Sequence, residues 1–202
     1  MGKGINLVAL IRVALAGEGG QGVQSIAEII SEAAFNEGKQ TIYIPNFGIE
    51  QRGGVSVAFI QVSDTRIGAP KFEKADVVVA LCSRAIARTA VYSNEDTLFV
   101  YDSASEAEQA DFPVAAKRII GIPAIDTANN ELHPRVFNII ILGAVIGLSQ
   151  LVSFKAVGDA LMYQLGSKFE KNPRLKEMNF KALEIGKQLA EKALQEEVVV
   201  NE

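Results

Sequence analysis

Thiols and imidazoles are nearly missing from this chain: its 202 residues include one cysteine, Cys82, and one histidine, His133. A single cysteine excludes a disulfide framework within the chain. It also excludes an iron–sulfur cluster or a thiolate zinc site built from this chain alone. One histidine leaves little for a histidine-based metal site. Basic blocks are missing too. The net charge is −4, with 20 Lys and Arg against 24 Asp and Glu, and this balance argues against nucleic acid as a partner. No segment is long and apolar enough to span a bilayer. Nor does any repeat, low-complexity tract or charge-poor Gly-rich linker divide the chain. What remains is 49% apolar and 22% charged, the make-up of one folded domain over residues 1–202, with its core at about 10–190.

The N-terminus admits two readings. Lys3, an apolar run to Leu15 and the small residues of Ala14-Leu15-Ala16 have the outline of a secretory signal. Arg12 inside that run, and a glycine-rich turn directly after it, fit the first strand of a cytoplasmic domain better, and cytoplasmic is the expectation.

The turn is Gly17-Glu18-Gly19-Gly20-Gln21-Gly22, set between the apolar Val13-Ala14-Leu15-Ala16 and an amphipathic stretch over 23–35. Strand, glycine turn and helix in that order bring free backbone N–H groups and the positive end of a helix dipole to one point, which suits a phosphate or another anion. Gly17, Gly19 and Gly22 also match the dinucleotide spacing G-x-G-x-x-G. A dinucleotide site needs an acidic residue at the end of the second strand, and that strand ends Tyr43-Ile44-Pro45-Asn46. Recognition of an NAD ribose is therefore unsupported. The competing reading is a tight turn whose glycines only let the helix pack on the sheet. Gln21 stands out as a two-sided hydrogen-bonding group at the tip, suited to a ligand or a partner chain. Gly17, Gly19, Gly20, Gln21 and Gly22 are the candidate cofactor-binding residues.

The second glycine-rich segment is Gly48-Ile49-Glu50-Gln51-Arg52-Gly53-Gly54. Because it follows the second strand, it should share a sheet edge with the first, where open α/β sheets bind ligands. Arg52 between glycines can hold a carboxylate or phosphate bidentately, and Glu50 can pair with it or with a neighbouring subunit. A solvated surface ion pair is the plainer alternative. Gly48, Glu50, Arg52, Gly53 and Gly54 are the candidate interface residues.

Elsewhere, periodicity predicts strands at 40–44 (ended by Pro45), 55–62, 77–81, 97–101 and 118–122. It predicts a short helix capped by Ser83 and running to 92, a helix buried on all sides at 138–148, and one capped by Ser153 running to 165. A long charged helix follows Pro173. Strands alternating with helices, then helices alone, indicate an α/β fold: a Rossmann-like, doubly wound, mostly parallel sheet with a helical C-terminal layer. Cys82 reads as an apolar filler, His133 as a capping or surface residue, Asp102-Ser103 as a helix cap, and Asn138 as a cap for a neighbouring turn. No nucleophile–base pair, metal-ligand spacing or catalytic carboxylate pair stands out, so no catalytic residue is assigned and this chain lacks the parts of a self-sufficient enzyme.

The two glycine motifs, in this order, resemble the signatures of the gamma subunit, or gamma domain, of the 2-oxoacid:ferredoxin (or acceptor) oxidoreductases. Further similarity runs through Pro70-Lys71-Phe72 and Asp76, Tyr101-Asp102, the 138–148 helix, and Asn179, Ala182 and Glu184. The resemblance covers about residues 10–190, and the start of the chain is longer than usual. It implies a Rossmann-like chain with no cofactor of its own. It implies membership of a complex that decarboxylates a 2-oxoacid with thiamine diphosphate, transfers the acyl group to coenzyme A and passes electrons through iron–sulfur clusters to ferredoxin. Alpha, beta and delta chains are the implied partners, and the segment around Pro70-Lys71-Phe72 looks most like the 2-oxoglutarate branch. A free-standing dinucleotide-binding protein is the alternative.

Overall fold

The structure is a computed structural model that describes residues 10–46 and 54–200, with side chains to 196. Six strands form one sheet: β1 (Leu10–Glu18), β2 (Gln40–Asn46), β3 (Val55–Ser63), β4 (Val77–Ala80), β5 (Leu98–Asp102) and β6 (Arg118–Ile122), in the order β2-β3-β1-β4-β5-β6. β1, β4, β5 and β6 run parallel, while β3 lies antiparallel between β1 and β2. The period-two alternation of a strand sorts each run between the two faces. Val13 and Leu15 of β1, with Val77 and Val79 of β4, join one core layer. Ala14 and Ala16, with Val78 and Ala80, join the other. All of these are buried, which is why both runs are apolar without interruption.

The first face carries α1 (Val23–Asn36), α4 (Phe137–Ser149), α5 (Phe154–Lys171) and α6 (Pro173–Val200), the expected helical layer. α4 is buried through eight consecutive residues, Ile139 to Ile146. α4 and α6 approach until their backbones touch: a Cβ on Gly186 would lie 2.8 Å from the Ala144 nitrogen and 2.9 Å from the Gly143 Cα, with the Ile140 carbonyl closer still. The second face is covered thinly, by the seven-residue α2 (Ser83–Thr89) and by the segments 64–76 and 103–117.

Several boundaries differ from the sequence expectation. β2 continues through Pro45 to Asn46. It is an edge strand, where a residue without an N–H breaks no ladder. Ser83 is the first residue of α2, whose N-cap is Cys82, and α2 passes into a 3-10 turn at Ala90–Tyr92. α5 runs six residues beyond 165, while its expected cap holds: Ser153 accepts from the Ala156 N–H at 3.2 Å. α3 (Ala124–Glu131) was not expected. Its N-terminus is satisfied from β5 rather than from within, because Asp102 accepts from the Ile125 N–H.

Candidate functional site

The turn after β1 is built around Gln21. Its backbone N–H donates to the Glu18 carbonyl at 3.1 Å, and Gly20 (φ +92°) and Gly22 (φ +82°) take the left-handed conformations that close the turn. The side chain then folds back. Oε1 accepts from the Glu18 N–H at 2.7 Å, and Nε2 donates to the Leu81 carbonyl at 3.2 Å. Gly17 is buried because this amide lies on it: a Cβ there would sit 2.8 Å from Gln21 Oε1 and 3.0 Å from Leu81 and Val23. Gln21, expected at the tip as a two-sided group suited to a ligand or a partner chain, uses one acceptor and one donor of its amide to brace the turn to the end of β4. The reason is local, since a buried backbone N–H and C=O at a strand end need partners and Gln21 supplies both. Arg84 strengthens the same junction, pairing with Glu18 at 2.9 Å. Leu81 and Arg84 were not singled out in the sequence, because neither belongs to a glycine motif and both reach the turn only through the β1–β4 pairing.

This junction is the switch point of the sheet, where α1 leaves toward one face and α2 toward the other. Gly19 and Gly20 are exposed, with nothing within 4 Å of a built Cβ. α1 starts at N-cap Gly22 with no side-chain cap, and its first helical bond runs from Ile26 N to Gly22 O. The head of α1 therefore lacks a side-chain cap of its own at an exposed turn, the arrangement that favours an anion. Asn138, at the second residue of α4, packs against Gly22, its Cγ 3.2 Å from the built Cβ. Its Oδ1 is buried without a hydrogen-bond partner. The expected cap by Asn138 is thus a packing contact that leaves an orphaned acceptor beside the turn.

Of the second motif, Gly48, Glu50, Arg52 and Gly53 lie outside the described residues, and Gly54 lies within them. The ends of that segment are placed. β3 begins with Val55 opposite Glu18 and Ser56 opposite Gly17, and Asn46 of β2 lies opposite Val57. Asn46 and Gly54 therefore sit at the sheet edge that carries the glycine turn, about 10 and 5 Å from β1 by strand spacing.

The remaining candidates are structural. Burial pushes the Cys82 thiol up, and neighbouring Glu18 adds to the shift, so the group stays a thiol. Asp102 is buried and accepts from the Ala104 and Ile125 N–H groups, both at 2.9 Å, the cap expected of it. His133 Nδ1 accepts from the Arg135 N–H at 3.1 Å, also a cap. Among the described residues, no group of His, Cys, Asp and Glu can hold a metal ion, and no helix is long and apolar enough to cross a membrane.

Comparison with known proteins places these features in context. The family model described as "Pyruvate ferredoxin/flavodoxin oxidoreductase" matches residues 12–189. The ketoisovalerate oxidoreductase subunit VorA of Methanothermobacter thermautotrophicus is 31% identical over 189 residues, which is 93% of this chain and 38% of that protein. The chain thus spans under two fifths of that relative's length. The keto/oxoacid ferredoxin oxidoreductase gamma subunit from Geobacter sulfurreducens superposes with a TM-score of 0.73 at 26% identity, covering 91% of this chain and 99% of that one. A 2-oxoglutarate:ferredoxin oxidoreductase from Magnetococcus marinus, solved with 2-oxoglutarate, coenzyme A and succinyl-CoA bound, gives a TM-score of 0.81 at 26% identity, covering 91% of this chain and 31% of that one. The resemblance drawn from the two glycine motifs is borne out.

Proposed function

Because this chain belongs to the pyruvate ferredoxin/flavodoxin oxidoreductase family, we propose that it is the gamma-type subunit of a multi-subunit 2-oxoacid:ferredoxin (or acceptor) oxidoreductase. That enzyme oxidises a 2-oxoacid to acyl-CoA and carbon dioxide, passing two electrons to ferredoxin. The observation that carries the reading is the near end-to-end match to a separate gamma subunit. Thiamine diphosphate and the iron–sulfur clusters then reside on alpha, beta and delta chains, in keeping with the single cysteine here, and the complex is cytoplasmic. The relatives act on ketoisovalerate and 2-oxoglutarate by name, so the choice of 2-oxoacid, including the expected 2-oxoglutarate preference, belongs to the partner chains.

Within that complex the turn at Gly17–Gly22 faces the coenzyme A side. The residues fit an anionic, partly polar ligand. The head of α1 lacks a side-chain cap, and Gly19 and Gly20 carry no side chain to obstruct approach. Coenzyme A supplies the thiol that takes the acyl group. This chain's residues bind and orient its phosphates, while Glu50, Arg52 and the glycines around them form the face that docks on the catalytic chains.

The free-standing dinucleotide reading has less support. β2 ends without a carboxylate, and antiparallel β3 occupies the place beside β1 where a dinucleotide fold sets a second parallel strand. Co-expression with the genes flanking this one is the test. We expect recovery of thiamine diphosphate- and iron–sulfur-containing partners and CoA-dependent 2-oxoacid oxidation by the complex, with none by the isolated chain. Arg52→Ala should weaken assembly or raise the coenzyme A requirement, and unchanged assembly and kinetics remove that role. Oxidoreductase activity or saturable NAD binding by the chain alone overturns the subunit reading.

A further inference from the structure

The two edges of the sheet differ in what they leave open. β2 blunts one edge with Pro45, which has no N–H to offer a further strand. β6 forms the other edge as Arg-Ile-Ile-Gly-Ile, without a proline or an acidic residue. The ladder fixes which backbone groups of β6 are already used. The Arg118 N–H donates to the Thr97 carbonyl at 3.3 Å, and the Ile122 carbonyl accepts from the Ser103 N–H at 3.0 Å. In a parallel pair the N–H and C=O of one residue point to the same side, and the side alternates along the strand. Arg118, Ile120 and Ile122 therefore face β5, while Ile119 and Gly121 turn their N–H and C=O groups away from the sheet. Among the described residues these four groups have no hydrogen-bond partner.

The side chains along this edge fit an identical strand. Ile120 and Ile122 point into the first core layer, so Ile119 and Gly121 lie on the second face, where Ile119 is 40% exposed. Gly121 is bare because the half-buried Tyr101 lies across it: a Cβ there would sit 2.9 Å from the Tyr101 hydroxyl. Antiparallel pairing of two β6 strands about Ile120 sets Ile119 of each copy opposite Gly121 of the other. In that register the two residues exchange both N–H···O bonds, so every outward group of both copies is satisfied at once. Each Ile119 side chain then covers the gap at Gly121 and meets the Tyr101 ring, a β-branched residue against an aromatic one. Charge agrees with this direction. Lys117 and Arg118 stand together at the start of β6, and an antiparallel partner carries its own pair to the opposite end. The two arginines are then about 13 Å apart by strand rise.

We propose that β6 is a two-fold interface, at which a second copy of this chain adds its own β6, antiparallel and centred on Ile120, to make one continuous sheet. The inference goes beyond the subunit reading and does not depend on it, since it concerns how two copies of this chain meet, alone or within a complex. The test is sedimentation of the full chain and of the co-purified complex over a range of concentrations, with amide hydrogen exchange read at Ile119 and Gly121. We expect a dimer whose formation slows exchange at those two amides. Ile119→Lys and Ile119→Pro should each weaken it by roughly tenfold or more, the second by removing an outward N–H while leaving every bond to β5 in place. Ile119→Val, and Tyr163→Asp on α5, where Tyr163 is exposed, should dimerise like the wild type. Thermal unfolding checks that each variant is folded; if Ile119→Pro is not, Ile119→Lys and the exchange rates decide. A chain that stays monomeric with fast exchange at both amides, alone and in the complex, overturns the proposal and leaves the subunit reading intact. A dimer that tolerates both β6 substitutions, or that yields to Tyr163→Asp, lies elsewhere and overturns it as well. Protection that appears only when catalytic chains are bound, at one copy of this chain per complex, would make the occupant a strand of those chains and also overturns it. Failure of the subunit reading shows separately, as recovery of no catalytic chain.

Discussion

Replacing Gly186 by alanine sets two effects of opposite sign against each other. In a helix interior alanine is favoured over glycine by about 1 kcal/mol, so propensity alone predicts a more stable protein. Packing predicts the reverse. The built Cβ falls 2.8 Å from the Ala144 nitrogen and 2.9 Å from the Gly143 Cα, with the Ile140 carbonyl oxygen nearer still. These neighbours are backbone atoms of α4, so no side chain can swing aside. α4 and α6 must separate, and α4 is packed on every side. Overpacking of this kind costs about 1–3 kcal/mol and at times more. Because the clash is with backbone on several sides, the upper part of that range applies, and the net loss is roughly 2 kcal/mol after the propensity gain. For a domain of this size that is a fall in Tm of about 4–8 °C. Gly166 in α5 is the internal control, since nothing lies within 4 Å of its Cβ. Gly166→Ala should stabilise by about 0.4–1 kcal/mol through the same backbone effect. Urea titration at constant m-value reads both. If Gly186→Ala proved as stable as the wild type, the backbone contact between the two helices would be wrong.

Two further outcomes follow from the site. Gly20 and Gly22 both have positive φ, but only Gly22 faces Asn138. Gly20→Ala should therefore cost about 1–2 kcal/mol for the left-handed conformation alone, and Gly22→Ala measurably more in the same urea titration; equal losses would refute the contact. Burial raises the pKa of Asp102, as does nearby Asp126, and the hydrogen bonds from the Ile125 and Ala104 N–H groups only partly oppose the shift. A carboxyl whose folded pKa is raised contributes stability that is complete below its unfolded pKa and is lost as pH rises through the folded one. The stability of the wild type relative to Asp102→Asn should accordingly fall as pH rises through that window. A difference that grows with pH, read from unfolding curves, would refute the sign.

Much of the fold is legible because each segment obeys a local rule. The uninterrupted apolar runs of β1 and β4 announce strands buried on both faces, and Ser153 announces the start of α5. What escaped depends on contacts remote in sequence. α3 is short and polar apart from Ala124, Ile125 and Ala128, and its start is held by Asp102, 23 residues before Ile125. β2 survives Pro45 because it lies at the edge, a fact of topology rather than of composition. At the candidate site the glycine turn is visible but the role of Gln21 is not. A glutamine at a turn tip reads as a group for a ligand or a partner chain until β4 is placed beside β1 and the Leu81 carbonyl comes within its reach.

The same placement explains why a G-x-G-x-x-G spacing need not read a dinucleotide. In the fold that does, the crevice at the switch point stays open and a second parallel strand brings an acidic residue to the ribose. Here β3 flanks β1 on one side, with Ser56 Oγ donating to the Gly17 carbonyl at 3.4 Å. On the other side the Gln21 amide ties the turn to the Leu81 carbonyl just after β4, and the Glu18–Arg84 pair ties β1 to the first turn of α2. Both approaches along the strand ends are occupied by the protein's own groups. Among the described residues the approach left is from outside, over exposed Gly19 and Gly20 to the head of α1, where backbone N–H groups and the positive end of a helix dipole stand. Those features select for negative charge and carry no information about a ribose. Glycine spacing alone therefore predicts an anion, and the strands on either side of it decide whether anything more is read.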